Sequence, residues 1–251
     1  MSNAIFTRPG RVGYFDTDAR HRLLPQGILL NFQEMAIAHS EDIGASMTVL
    51  NERHRGWAVG FWHVKIHKPP VYTQALRLST WVPRIRKMQA VRCFTMDSEA
   101  GETLCSAMSL WIYMDLEKRC PALLPPELIE GYQFDAPVPF AERFILPKNA
   151  GGLPLPGYEL TVHRGDTDSN GHANNLRYME WAMECVPDDL YETGNLEAFK
   201  VIYRKECYRG SRVAIRAFRE DGPTGSTINV FLHEDDESGP VLAQVQLCYR
   251  C

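Results

Sequence analysis

Between Arg164 and Cys185 the chain reads RGDTDSNGHANNLRYMEWAMEC, which sets Asp168, Asn170 and His172 at alternate positions ahead of an apolar segment. A donating amide, an imidazole that can donate, accept or titrate near neutral pH, and a carboxylate that orients its neighbours are groups suited to carbonyl chemistry. They can guide an attacking water and hold the negative charge that develops on the carbonyl oxygen. If 168–172 runs extended, period-two alternation puts the three side chains on one side, with Gly171 allowing a sharp approach to the helix that follows. The same letters are also ordinary turn vocabulary, with Asn174 or Asn175 as a helix N-cap. Further on, YRKEC (Tyr203 to Cys207) brings Glu206, able to polarise water as a general base, and Cys207, a competing nucleophile in a Cys-His-Asn set. Neighbours on a strand face opposite sides, so the two should not both reach one site without a bulge. Glu206 is preferred, because a buried cysteine is otherwise a common small core residue.

The elements that must position these residues are written twice. Asp16, Thr17 and Asp18 align with Asp166, Thr167 and Asp168 at an offset of 150, and an apolar helical pattern follows both. Val64 aligns with Val201 and Trp81 with Phe218 at an offset of 137, so the first copy carries a longer connection after its helix. Each copy reads as a strand, one helix, then several strands rich in β-branched and aromatic residues. The second helix, from about Asn175 to Val186, has one polar stripe (Arg177, Glu180, Glu184) and is otherwise apolar, so it needs enclosure on several sides. A curved antiparallel sheet wrapped around a long helix meets that need, and the expected class is α+β, a tandem double hotdog. In the first copy Arg20 and Arg22 replace Asn170 and His172, and Pro69 and Pro70 replace Glu206 and Cys207. Only the second copy can carry the chemistry.

Eight of the sixteen prolines fall between Cys120 and Gly157. The expected organisation is therefore an N-terminal hotdog over 1–120, a Pro-rich linker over 121–156 and a C-terminal hotdog over 157–251. A net charge of -4 argues against nucleic acid as a bulk electrostatic partner. No apolar run approaches the length of a membrane span. The opening MSNAIFTRPGRVGYF lacks the zones of a secretory signal, which points to a reducing, cytoplasmic setting for the seven cysteines. An odd cysteine count without C-x-x-C spacing predicts neither a disulfide framework nor a zinc site, and no metal or organic cofactor is expected.

The segment DTDSNGHANNLRYMEW resembles the D-x-D-x-N-x-H-x-N-N-x-x-Y motif of the acyl-acyl carrier protein thioesterases of bacteria and plant plastids. YRKEC resembles that family's later Glu-Cys strand, and FDTDARHRLLPQGILLNFQEMAIAHSEDIG resembles its first-copy helix region. HRG (His163 to Gly165) departs from the more ordinary strand-like sequence expected before Asp166. The resemblance implies hydrolysis of fatty acyl thioesters on acyl carrier protein, a catalytic second copy, and a first copy that houses the acyl chain. Whether Glu206-activated water, Asp168 or Cys207 attacks the thioester stays open, as do an acyl-CoA thioesterase and a non-catalytic acyl-thioester-binding module. Acyl carrier proteins are acidic, so a basic docking surface is expected, with Arg84, Arg86 and Lys87 as candidates alongside Arg204, Lys205, Arg209 and Arg212. Self-association as a homodimer is left open.

Overall fold

The computed structural model describes residues 5–141, 144–148 and 151–250. The chain divides into two compact units, Met1–Arg143 and Phe144–Cys251. In the first, β1 (Phe6–Arg11), β2 (Arg55–Ile66), β3 (Ala75–Arg86), β4 (Gln89–Ser98) and β5 (Thr103–Asp115) form an antiparallel sheet in the order β1-β3-β4-β5-β2. A two-residue strand, β6 (Cys120–Pro121), pairs with β5. The helix α1 (Pro25–Asp42) starts with Pro25, whose missing N–H costs nothing in a first turn. Its Ile28, Leu29, Phe32, Met35 and Ala36 are buried. Phe32 packs against Trp62 of β2 and Phe94 of β4, with ring centroids 6.4 and 5.0 Å apart, so the helix lies on the sheet along its central turns. A short helix, α2 (Met47–Glu52), is capped by Ser46, whose hydroxyl accepts from Val49 N–H.

The proline-rich stretch does more than link. Pro126 occupies the first turn of α3 (Pro126–Tyr132), which carries Leu128 and Tyr132, at i and i+4, into a buried cluster with Ala45, Leu50, Val82, Ala90, Tyr113 and Leu124. The first unit thus extends well past residue 120. Proline composition suggested a connection, whereas proline at a first helical position initiates one.

In the second unit β7 (Leu153–Thr161), β8 (Asn195–Tyr203), β9 (Arg212–Gly222), β10 (Gly225–Glu234) and β11 (Val241–Arg250) form an antiparallel sheet in the order β8-β11-β10-β9-β7. The helix against it, α4 (Asn175–Met183), buries Tyr178, Met179, Trp181 and Ala182. At nine residues α4 is shorter than the long helix expected to reach Val186. Cys185 and Val186 donate only to the carbonyls three residues back, and Pro187 offers no N–H to continue. A π-helical turn, Asp189–Thr193, follows and buries Leu190. Each unit is a hotdog, a helix laid on an antiparallel sheet, so the α+β tandem hotdog class holds; the long helix is a property of the first unit alone.

Candidate active site

The residues 166–174 form a closed turn between β7 and α4. Asp168 N–H donates to the His172 carbonyl (2.8 Å), Gly171 N–H to the Asp168 carbonyl (3.0 Å) and Asn174 N–H to the Asp166 carbonyl (2.7 Å). Asp168 Oδ1 accepts the N–H groups of Asn170 (2.8 Å) and His172 (3.2 Å). Gly171 has φ of 79°, a left-handed conformation that costs glycine nothing. Asn174 caps α4, its Oδ1 accepting from Leu176 N–H at 3.0 Å. Arg177 ties helix to turn, donating to the Gly165 carbonyl (3.0 Å) and pairing with Asp166 and Glu180. The unexpected HRG also has a place: His163 N–H donates to Asp166 Oδ2 at 2.7 Å, and the His163 side chain completes a capping box around this turn.

The first unit repeats the turn bond for bond. Asp18 N–H donates to Arg22 O (2.9 Å), His21 N–H to Asp18 O (2.9 Å) and Leu24 N–H to Asp16 O (2.8 Å), while Asp18 Oδ1 accepts from Arg20 and Arg22 N–H, both at 2.9 Å. His21, at the position of Gly171, takes φ of 61°. Asp168 Oδ1 is therefore a turn organiser in both units, with or without a reaction to serve. The difference lies in the side chain four residues on. Arg22 turns back to Asp18 Oδ2, with Nε at 2.8 Å and a second nitrogen at 2.7 Å. His172 turns outward instead, placing Nε2 3.5 Å from Glu206 Oε2.

Glu206 and Cys207 sit in the connection after β8, beyond the strand itself. Ala173 N–H donates to the Cys207 carbonyl (2.8 Å), as Leu23 N–H does to the Pro70 carbonyl (2.8 Å), so this crossing is also duplicated. The two side chains part as alternation requires. Glu206 is exposed over 58% of its side chain, whereas Cys207 is fully buried. The Cys207 thiol lies 3.2 Å from Tyr178 Oη, and burial pushes its pKa up, away from the thiolate. Asn170 is exposed at the tip of the turn. Tyr208, which motif reading passed over, joins the pair: its ring lies edge-on to His172 with centroids 5.0 Å apart, and its hydroxyl donates to Glu206 Oε2 at 3.3 Å. The signal was available, since residues two apart in an extended segment share a side. Among the described residues no group of three His, Cys, Asp or Glu is arranged to hold a metal ion.

Arg84, Arg86 and Lys87 are exposed at the β3–β4 hairpin end of the first unit. Of the cations considered with them, Lys205 pairs with Glu234, and Arg212 with Glu159 at 2.7 Å.

Residues 3–132 match the acyl-ACP thioesterase N-terminal domain, and residues 157–250 match the C-terminal domain of the same family. Over 219 residues the chain is 29% identical to a chloroplastic acyl-acyl-carrier-protein hydrolase of Cuphea viscosissima, covering 82% of this chain and 53% of that protein. It is 25% identical over 191 residues to an oleoyl-acyl carrier protein thioesterase of Arabidopsis thaliana, covering 70% of this chain and 52% of the relative. The chain thus spans about half the length of the curated relatives it matches. Among solved structures, an acyl-ACP thioesterase from Bacteroides thetaiotaomicron superposes with a TM-score of 0.87 at 24% identity, over 100% of both chains. The 12:0-ACP thioesterase of Umbellularia californica superposes with a TM-score of 0.84 at 21% identity, over 98% of this chain and 94% of that one. These two likenesses establish the fold.

Proposed function

The chain belongs to the acyl-ACP thioesterase family, and we propose that it hydrolyses fatty acyl thioesters carried on acyl carrier protein, using the second unit for the chemistry and the first to house the acyl chain. One observation carries this reading: the turn is present in both units, but the imidazole–carboxylate pair of His172 and Glu206 occurs in the second alone.

In this mechanism Glu206 takes a proton from water as the water oxygen bonds to the thioester carbon. The amide of Asn170 and the positive end of α4 offset the charge on the carbonyl oxygen. His172, facing Glu206, relays the proton to the departing sulfur as the C–S bond breaks, so a fatty acid and the carrier thiol leave. Asp168 acts through the turn, holding the backbone of Asn170 and His172. The free thiols of the six described cysteines fit the reducing cytoplasm as the compartment.

Glu206→Gln and Cys207→Ala, assayed on acyl-acyl carrier protein, test the assignment. Glu206→Gln is expected to lower kcat by about a hundredfold or more. Cys207→Ala should keep most of the activity in the folded fraction, with a lowered melting temperature because the site is buried. Trapping of an acyl-cysteine intermediate would reverse the roles.

A further inference from the structure

We propose that Tyr208 is a positioning residue for the hydrolytic pair, holding the Glu206 carboxylate with its hydroxyl while its ring walls the His172 imidazole. The inference rests on the reading of His172 and Glu206 given above. Glu206 has a largely exposed side chain with three rotatable bonds, and a chain of that kind does not hold one orientation unaided. Among the described residues its carboxylate has two partners, and both converge on one oxygen. Tyr208 Oη donates to Oε2 at 3.3 Å, and His172 Nε2 lies 3.5 Å from the same atom. Tyr208 is also fixed against His172 twice over. The two residues form a backbone bridge between the turn and the β8–β9 connection, and their rings meet at 83° with centroids 5.0 Å apart. Phenol, carboxylate and imidazole therefore close a triangle in which Tyr208 touches both other members and needs no contact with substrate.

The first unit provides the internal comparison. Its equivalent bridge joins Arg22 to Val71, and Pro69 stands where Glu206 stands. The backbone crossing is thus retained without a phenol, so forming that crossing does not require Tyr208. The hydroxyl is present only in the unit that has a carboxylate to orient.

The test compares Tyr208→Phe, which keeps the ring and removes the donor, with Tyr208→Val, which copies the first unit. On acyl-acyl carrier protein, Tyr208→Phe is expected to lower kcat about tenfold with KM within about twofold and an unchanged melt, the signature of a lost orienting bond. Tyr208→Val should lose more, because the imidazole also loses its wall. In the Glu206→Gln background, adding Tyr208→Phe should cost little further, since a residue acting through Glu206 has nothing left to position. Wild-type kcat in Tyr208→Phe, or fully additive losses in the double variant, would overturn the positioning role while leaving His172 and Glu206 in place. Full activity in Glu206→Gln would instead remove the hydrolytic reading, and the inference with it.

Discussion

Asp168 and His172 come from one short motif but are held by different parts of their residues. The turn uses the Asp168 carboxylate, whereas it uses only the backbone N–H and C=O of His172 and the backbone N–H of Asn170. Alanine at 170 or 172 therefore leaves every turn bond in place. Each variant is expected to melt close to wild type while kcat falls by about a hundredfold, and the double variant should lose less than the product, because groups serving one transition state are not independent. Asp168→Ala is the contrasting case: two N–H groups lose their acceptor, and stability should drop by about 1–3 kcal/mol in denaturant titration. A second residue-level expectation concerns the first unit, where the buried Arg92 donates to His39 Nδ1 at 2.9 Å and lies over the Tyr132 ring at 5.2 Å. Burial, reinforced by the Arg92 charge, lowers the His39 pKa from 6.5 to about 3. A base with a depressed folded value contributes its stability in full above the unfolded pKa and loses it as pH falls toward the folded one. Stability should therefore decline from about pH 6.5 downward, approaching ~1.4 kcal/mol per pH unit from this group. His39→Gln, which retains an acceptor for Arg92, should remove that share of the slope in melts recorded across pH 4–7.

At the scale of elements, α3 makes the sharpest test. Tyr132 is buried, donates to Ser40 Oγ at 2.7 Å and meets the Trp57 ring edge-on at 5.7 Å. Tyr132→Ala should cost about 3–5 kcal/mol, as large aromatic truncations in cores do, where a residue of a surface linker would cost almost nothing. The denaturation midpoint distinguishes the two. This helix was hidden in the sequence because PPELIEGY offers only Leu128, Ile129 and Tyr132 as apolar anchors within about one turn, too few for a periodic signal, amid prolines that read as punctuation. The strands and α1 were legible because long alternating or 3.6-residue patterns persist over them. The end of α4 was not, since Glu184, Cys185 and Val186 continue the helical pattern while Pro187 ends the hydrogen bonding from outside it. For the candidate site, DSNGH and YRKEC offered Asp168, Asn170, His172 and Glu206 by type and spacing. Type and spacing could not reveal that Glu206 meets His172 from a connection rather than a strand, because that depends on a crossing between segments some 35 residues apart, whereas Tyr208, two residues past Glu206, was within reach of the same reading.

At the scale of the whole molecule, the duplication is uneven: both units keep the turn, its crossing and the helix-on-sheet packing, and the second alone carries the His172–Glu206 pair proposed to react. The same unevenness bears on carrier recognition. The chain carries 27 basic and 31 acidic residues, so attraction for an acidic carrier protein must come from a local patch rather than the net charge. Lys205 and Arg212 already face carboxylates of their own unit, which weakens their pull on a partner. Arg84, Arg86 and Lys87 stand exposed together at one hairpin end and are the better candidates. If they dock the carrier, raising ionic strength through the range where the Debye length falls from about 10 to 3 Å should raise KM for acyl-acyl carrier protein several-fold. A short free thioester, which carries no acidic partner, should show a flat KM over the same range. Reversing all three charges should reproduce the high-salt KM at low salt and leave the short substrate unchanged, because that substrate carries no acidic partner for the patch to hold. A KM on the carrier substrate that ignores both salt and charge reversal, or equal preference for acyl-CoA, would move the assignment to a CoA thioesterase.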